Sequence, residues 1–171
     1  IQTLRGVENF SISRFKLEYY PAFINGLAYT KLAAAEANHQ LGLLTDEQYA
    51  GIKAACDDIV AGKYHEEFPV DMIQGGAGTS TNMNANEVIA NRAIELYGEG
   101  GKGDSSVISS LTHVNMAQST NDAVPTAIRI ALLIKNDALL DAIEKLEQTF
   151  RAKAKEFDHI LKMGRTHLQD A

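Results

Sequence analysis

Two short stretches of the chain are crowded with small, neutral hydrogen-bonding side chains. Residues 74–86 read QGGAGTSTNMNAN (the glycine-rich stretch) and residues 118–126 read QSTNDAVPT (the STND stretch). Hydroxyl and amide groups can hold the oxygens of an anion such as a carboxylate without the cost of burying a full positive charge. The same residue types are common in turns and at helix starts for structural reasons alone. The composition of the two stretches leaves both interpretations open.

The STND stretch has the features of a helix start. Four consecutive residues are good N-cap residues, namely Ser119, Thr120, Asn121 and Asp122. Pro125 lies in the predicted first turn, where proline is permitted. One side chain is enough to cap a helix, whereas several candidates stand together here. Because the start of a long helix presents unpaired N–H groups and partial positive charge, these residues suit an anion site and a plain cap equally well.

The glycine-rich stretch combines flexible backbone with side-chain donors. Gly75, Gly76 and Gly78 permit a close approach of the backbone, and residues 79–82 offer hydroxyl and amide groups. No lysine follows the glycines, as it does in a phosphate loop of the form GxxxxGK[ST]. No convincing strand precedes them, as it does in a dinucleotide-binding turn. Considered alone, the stretch is best interpreted as a loop that leads into a helix.

A third candidate is GRTHLQDA at residues 164–171, where Thr166 stands next to His167. A histidine beside a hydroxyl can hydrogen-bond a ligand or serve as an acid or base. A lone histidine is nevertheless more often structural. The other histidines have no HExxH or Cys/His spacing, so we expect no metal site.

The elements that must position these residues are mostly helices. Pro21 is well placed to open a helix that stops at Gly42. Thr45 and Gln48 form a capping-box pattern at the start of a helix that closes at Gly62. A further helix is predicted over residues 84–97, before Gly98, because its apolar residues recur at helical spacing.

The longest predicted helix runs from Asp122 to about Leu161. It contains no glycine, and its apolar residues form one stripe: Leu132, Leu139, Ile143, Leu146, Phe150, Ala154, Phe157 and Leu161. Such a stripe is typical of a helix in a bundle or coiled coil. We therefore expect partner helices, supplied by further sequence or by other subunits.

Composition narrows the class of protein. The chain has 171 residues, 16 basic against 22 acidic, and a formal net charge of −6. Without a basic block, neither nucleic acid nor an anionic membrane is an expected partner. No apolar run reaches the roughly 18 residues of a membrane-spanning helix. The chain has one cysteine, Cys56, and its place in an amphipathic run predicts a buried thiol. Because a single cysteine cannot form an intramolecular disulfide, it fits a reducing, cytoplasmic location.

Three long motifs together resemble the aspartase/fumarase superfamily of homotetrameric, mostly helical lyases. They are GAGTSTNMNANEVIANRAIE, HVNMAQSTNDAVPTAIRIA and KMGRTHLQDA, and they stand in the order of that family. The opening residues IQTLRGVENF also resemble its N-terminal segment, so the resemblance covers essentially the whole chain. It implies a mostly α fold, with an N-terminal helical domain over 1–115. Residues 116–171 would begin the central helical bundle.

Within the superfamily the sequences of these motifs resemble the aspartase branch more than class II fumarases, where SGTQSN and KIGRTH are the expected sequences. Residues 109–112 read SSLT where the family often has NPND or HPND, a segment that contributes to a second anion site in fumarases. That departure counts against such a second site. A class II fumarase or another fumarate-releasing lyase remains an alternative, as does a non-catalytic helical assembly module.

The aspartase resemblance implies reversible conversion of L-aspartate to fumarate and ammonia, without an organic cofactor. A base removes a Cβ proton to give an aci-carboxylate dianion, and neutral donors aimed at its oxygens stabilise the charge. Carried over by motif, the hydroxyls of Thr79, Ser119 and Thr120 would hold the β-carboxylate. Asn121 and His167 would contact the amino group. Thr166 would contact the other carboxylate.

The resemblance also implies what lies outside these residues. The family's base is a serine on a mobile Gly/Ser-rich loop followed by a substrate-binding lysine, and that loop is expected beyond residue 171. No catalytic base is therefore assigned within the chain. Both ends of the sequence look cut, and we expect the 171-residue chain alone to be inactive.

Overall fold

The computed structural model describes residues 1–74, 76–97 and 100–170. Over these residues the fold is mostly helical, as predicted. Its α-helices are Gln2–Asn9 (α1), Pro21–Gln40 (α2), Asp46–Val60 (α3), Thr79–Tyr97 (α4) and Thr120–Phe157 (α5). Single turns of 3₁₀-helix span Leu17–Tyr19 and His65–Glu67, and a π-helical turn spans Ser110–Val114. Two short antiparallel strands follow α5, Arg165–Thr166 (β1) and Gln169–Asp170 (β2).

The chain forms two compact units, residues 1–134 and residues 135–171. The first unit contains α1 to α4 and the start of α5. Its buried core is built from the apolar faces of α2, α3 and α4. The predicted domain division between residues 115 and 116 stays a prediction.

Local signals fix the ends of α2 and α3. Pro21 occupies the start of α2, and the chain leaves the helix just before Gly42, as predicted. The capping box is also confirmed, because the Thr45 hydroxyl accepts from the Gln48 N–H and the Gln48 side chain accepts from the Thr45 N–H. Cys56 on α3 is buried, and burial raises the pKa of its thiol to about 12. The prediction of a buried thiol is confirmed.

Helix α4 begins earlier than the sequence indicates. It starts at Thr79, so residues 79–83 are helical rather than part of the expected loop. The polar residues in its first turns are buried, including Thr81, Asn82 and Asn84. Their side chains bond to other parts of the fold, which offsets the low helix propensity of Thr and Asn. The predicted roles of Gly75 and Gly98 fall on residues outside the described part of the chain.

Helix α5 matches the predicted long helix, with shifted ends. It begins at Thr120 rather than Asp122 and ends at Phe157 rather than near Leu161. Pro125 therefore lies in the second turn, where its missing N–H costs one intrahelical hydrogen bond. From residue 132 onwards every residue of the helix is exposed, including the apolar stripe.

Two carboxylates anchor the N-terminal segment. Glu87 on α4 accepts hydrogen bonds from the backbone N–H groups of Gln2 and Thr3 and from the Thr3 hydroxyl, which caps α1. Partial burial raises the pKa of Glu87, but these hydrogen bonds outweigh it and lower the pKa to about 2. Asp71 does the same for the loop after α1, accepting from residues 12–14.

Among the described residues, no helix is long and apolar enough to cross a membrane.

Candidate functional site

The fold brings the glycine-rich stretch and the STND stretch together. The Asn82 side-chain Nδ2 donates to the Thr120 hydroxyl oxygen at 3.2 Å. Gly78 packs against the first turns of α5, so closely that an added Cβ would lie 2.8 Å from a methyl carbon of Val124. The start of α4 and the start of α5 therefore lie in contact, although they are about 40 residues apart in sequence.

The Asn82 hydrogen bond determines what the Thr120 hydroxyl can do. A hydroxyl has one proton to donate and two lone pairs to accept with. Because the Thr120 oxygen accepts from Asn82, its own proton is free to point elsewhere. Thr120 is half-buried, so this donor is fixed by the fold and still reachable from outside.

Ser119 is arranged in the same way. Its hydroxyl oxygen accepts from the Asn121 N–H at 3.2 Å, and its carbonyl oxygen accepts from the N–H groups of Asp122 and Ala123. The backbone donors of Asn121, Asp122 and Ala123 are thus occupied within the chain, which differs from the expected row of unpaired N–H groups. The exposed Ser119 hydroxyl proton remains available. At this helix start the groups available to bind an anion are hydroxyls more than backbone amides.

Thr79 and Asn121 complete the predicted set in the first unit. Both are exposed, and within the described part of the chain neither side chain donates or accepts a hydrogen bond. Thr79 opens α4 directly after Gly78. Both side chains are therefore placed at the two helix starts without being used by the fold.

A buried lysine lies behind this site. Lys31 on α2 is fully buried, and its ammonium group donates to three side-chain amide oxygens. The acceptors are Asn82 Oδ1 at 2.7 Å, Asn115 Oδ1 at 3.0 Å and Gln118 Oε1 at 2.9 Å. We call these four residues the Lys31 cluster. Burial lowers the pKa of Lys31 to about 8.

The segment between the π-helical turn and α5 is also fixed by side-chain amides. Asn38 on α2 donates to the carbonyl oxygen of Met116. The Gln118 amide nitrogen donates to the carbonyl of Val114, and the Asn115 amide nitrogen donates to the carbonyl of Gln118. These contacts hold the residues that precede Ser119 in one conformation.

Sequence reasoning did not assign a role to Lys31, Asn115 or Gln118, and it gave Asn82 only a general one. One signal was available. Lys31 shares the buried face of α2 with Leu27, Ala28 and Ala35, so the helical spacing alone places a charged residue in the core. A lysine in that position needs buried acceptors, and the side-chain amides of two asparagines and one glutamine supply them.

The glycine-rich stretch is held from its N-terminal side. The Gln74 side chain accepts from the Thr81 N–H at 2.7 Å and donates to the Thr81 hydroxyl at 2.8 Å. It also donates to the Asp71 carbonyl. Gln74 therefore caps α4 and ties its first turn to Asp71.

The SSLT segment forms its own local structure. The Ser109 hydroxyl accepts from the N–H groups of Leu111 and Thr112, and the Ser109 N–H donates to Nδ1 of His113. Burial lowers the pKa of His113. These interactions account for the local role of Ser109 as the cap of the π-helical turn.

Thr166 and His167 belong to the second unit. Thr166 is the second residue of β1, where it pairs with Gln169. His167 follows in the turn between the strands, with φ of 20° and an exposed side chain. The predicted contact of Thr166 with the other carboxylate and that of His167 with the amino group stay predictions.

The described residues include no group of three or more His, Cys, Asp or Glu side chains placed to hold a metal ion.

Known proteins resemble this chain along its whole length. The aspartate ammonia-lyase of Pseudomonas fluorescens is 57% identical over 171 residues, which are 100% of this chain and 36% of that protein. The fumarate lyase:delta crystallin structure from Brucella melitensis in native form is 54% identical, with a TM-score of 0.90, and the match covers 100% of this chain and 40% of that one. The class II fumarase structure from Schistosoma mansoni is 33% identical, with a TM-score of 0.84 and coverage of 100% and 36%.

The chain thus spans about a third of the length of the relatives it matches. A family model described as a lyase matches residues 1–171. Together with a helical fold in which the two polar stretches meet, this match shows that the chain belongs to that lyase family, the aspartase/fumarase superfamily.

Proposed function

We propose that a complete protein carrying this chain is an aspartate ammonia-lyase, which converts L-aspartate reversibly to fumarate and ammonia. The chain supplies the wall of the active site that binds the β-carboxylate. One observation carries this proposal: Thr120 accepts from Asn82, so its hydroxyl proton is left to donate to a ligand. The name of the 57%-identical relative supports the choice of aspartate as substrate.

The chemistry needs donors of this kind. Removal of a proton from Cβ of aspartate places additional negative charge on the neighbouring carboxylate. Hydroxyl protons from Thr79, Ser119 and Thr120 would stabilise that aci-carboxylate, since donors already aimed at the developing charge need no reorganisation. A neutral set suits a reaction that must later release a dicarboxylate, because its product is held without a full ion pair.

The remaining contacts follow the family pattern. Asn121 and His167 would contact the amino group, and Thr166 would contact the other carboxylate. The general base would be a serine on a loop that belongs to the rest of the protein. We therefore infer that the 171-residue chain alone does not release fumarate from aspartate, and a coupled assay for fumarate on the isolated chain tests this directly.

Assembly and location are part of the same proposal. The exposed apolar stripe on α5 would pack in the central bundle of a homotetramer, since burying these side chains against partner helices removes apolar surface from water. A small dicarboxylate is the expected ligand, and a cytoplasmic location agrees with the single unpaired thiol of Cys56.

The test uses a complete enzyme, a chimera in which the chain replaces the matching 171 residues of the Pseudomonas fluorescens relative. Ser119→Ala and Thr120→Val each remove one donor. We expect each to lower kcat/KM for aspartate by roughly 10²–10³-fold while the fold and the assembly are kept.

The control is Thr126→Val, which removes an exposed hydroxyl from the next turn of α5. It is expected to leave turnover unchanged. Normal turnover in Ser119→Ala and Thr120→Val, with lowered stability only, would instead support a helical assembly role for this chain. Preference for malate over aspartate in the unsubstituted chimera would point to a fumarase.

A further inference from the structure

We propose that Lys31 is a positioning residue of this site: its ammonium group fixes the Asn82 amide, and the amide in turn makes Thr120 a hydrogen-bond donor to the ligand. The inference rests on the proposed role of Thr120 as a carboxylate donor. It adds residues of α2 and α4 that would not touch the substrate.

The first step is the direction of the Lys31–Asn82 hydrogen bond. An ammonium group has three donors and no acceptor, so the group that faces it must be an oxygen. The Asn82 carbonyl oxygen lies 2.7 Å from the Lys31 nitrogen, within a fully buried contact. Lys31 therefore excludes the flipped orientation of the Asn82 amide, which would place its NH₂ against the ammonium.

The second step is the direction of the Asn82–Thr120 hydrogen bond. With its oxygen held by Lys31, the Asn82 side chain presents its NH₂ group to Thr120 and Asn115, at 3.2 and 3.1 Å. An NH₂ group can only donate, so the Thr120 oxygen must accept. The hydroxyl proton then has no partner in this cluster and can be donated to a bound carboxylate.

Asn115 and Gln118 hold Lys31 in place for this role. Both present side-chain oxygens to the ammonium, so that its three protons are all used. None of the three acceptors is a carboxylate, and no ion pair of the described residues includes Lys31. The positive charge is therefore not neutralised by an acidic side chain in contact with it.

A purely structural role for Lys31 is the competing explanation, because a buried cation with three partners also holds α2 to α4. The two explanations differ for Asn82→Asp in the chimera. The new carboxylate still accepts from Lys31 and adds a charge pair, but it replaces the hydrogen bond to Asn115 by a contact between two oxygens. We expect these effects largely to offset each other, so that stability falls less than in Asn82→Leu. The carboxylate cannot donate to Thr120, however. Thr120 would instead donate its proton to the carboxylate and lose it for the ligand.

We therefore expect Asn82→Asp to lower kcat/KM for aspartate by about 10²-fold, similar to the loss of one donor. Asn82→Leu removes all three side-chain hydrogen bonds of Asn82 and leaves the Thr120 proton free, so its loss of turnover should be smaller although its stability is lower. A structural role predicts the opposite order, with activity following stability. Melting temperature and tetramer content are measured beside turnover for each variant.

A double-mutant cycle with Thr120→Val separates the pathway through Thr120 from direct repulsion of the substrate by the new charge. If Asn82→Asp acts through Thr120, it changes kcat/KM by no more than about threefold in the Thr120→Val background. An undiminished 10²-fold effect in that background overturns the proposal. Lys31→Met is also combined with Thr120→Val, and in that background it should likewise change kcat/KM by no more than about threefold. This second cycle tests the proposal if Asn82→Asp does not assemble.

Failure of this inference is distinct from failure of the proposed function. If Thr120→Val leaves turnover unchanged, the carboxylate role of Thr120 is wrong and both proposals fall. If Thr120→Val lowers turnover but its effect simply adds to that of Lys31→Met, the carboxylate site stands. Lys31 is then a structural residue only.

Discussion

The backbone of Gly26 on α2 lies directly against the carbonyl oxygen of Ala127 on α5. A Cβ added at Gly26 would be 2.3 Å from that oxygen, closer than any real contact of this kind. Ala127 is fully buried and lies two turns after Thr120. This contact therefore sets how closely the start of α5 approaches the rest of the first unit.

We expect Gly26→Ala to lower the free energy of unfolding by about 1–3 kcal/mol, because backbone cannot move aside as a flexible side chain can. Urea unfolding of the chain, followed by circular dichroism, measures the change. Gly101→Ala is the matched control, since an added Cβ there meets no atom within 4 Å. Equal stability of the two variants would contradict the close approach of α2 and α5.

Gly78→Ala combines two costs. Gly78 has φ of +90°, which favours glycine, and the added Cβ would also lie 2.8 Å from Val124. We expect a loss of about 1–3 kcal/mol in stability and a lower turnover of the chimera, because Gly78 sets the approach of Thr79 to α5. Adding Val124→Ala should recover the steric part only. Full recovery would mean that the backbone conformation at Gly78 costs nothing.

Asp71 predicts a dependence of stability on pH. The hydrogen bonds from the Ser13 hydroxyl and from the backbone N–H groups of Ile73, Ser13 and Arg14 hold the pKa of the Asp71 carboxyl well below its usual range, against the opposing effect of burial. Because the folded-state pKa is lowered, this stabilisation is complete above the unfolded value near 3.8. It is lost as the pH falls below that value towards the folded pKa.

We expect Asp71→Asn to destabilise the chain at pH 7 and to make the fall of the unfolding free energy below pH ~5 shallower. Urea unfolding at several pH values between ~3 and ~7 measures both effects. Asp57→Asn serves as the control, since its exposed carboxylate pairs with Lys53 at the surface. A slope in Asp71→Asn equal to that of the unsubstituted chain would show that Asp71 does not carry this dependence.

The stripe on α5 predicts an effect on assembly. Leu146 is 56% exposed within the single chain, and we propose that it is covered in the homotetramer. Leu146→Asp in the chimera should dissociate the tetramer, because a buried, unpaired carboxylate is costly. Molar mass from light scattering checks this. Gln148→Asp places the same charge on a different face of α5 and should leave the mass unchanged.

Several features follow from the sequence because their causes are local. The capping box of Thr45 and Gln48 joins residues three apart, and the long helix follows from the apolar spacing after residue 132. The burial of Cys56 follows from its place on an amphipathic helix. The family motifs are likewise read from residues in order, without knowledge of where they meet.

The start of α4 shows where local reasoning stops. Ser, Thr and Asn are poor helix formers, so the sequence favours a loop up to residue 83. Tertiary hydrogen bonds override that preference: Gln74 holds Thr81, Lys31 holds Asn82, and the carbonyl oxygen of Glu67 holds Asn84. Propensity differences of a few tenths of a kcal/mol per residue are small beside the cost of leaving such groups buried and unpaired.

The sequence by itself determined α2 and α3, the local capping box of α3, and the greater part of α4 and α5. It also named Thr79, Ser119 and Thr120 as candidate donors. Only the tertiary structure decided which side chains hydrogen-bond to these donors and so orient them. The bonds from Lys31 to Asn82 and from Asn82 to Thr120 join residues 51 and 38 positions apart. Bonds at such separations depend on how helices pack, and packing is set by close contacts such as Gly26 against Ala127 rather than by any residue's own preference. For that reason a lysine that the sequence leaves without a role lies at the centre of the polar cluster behind the site.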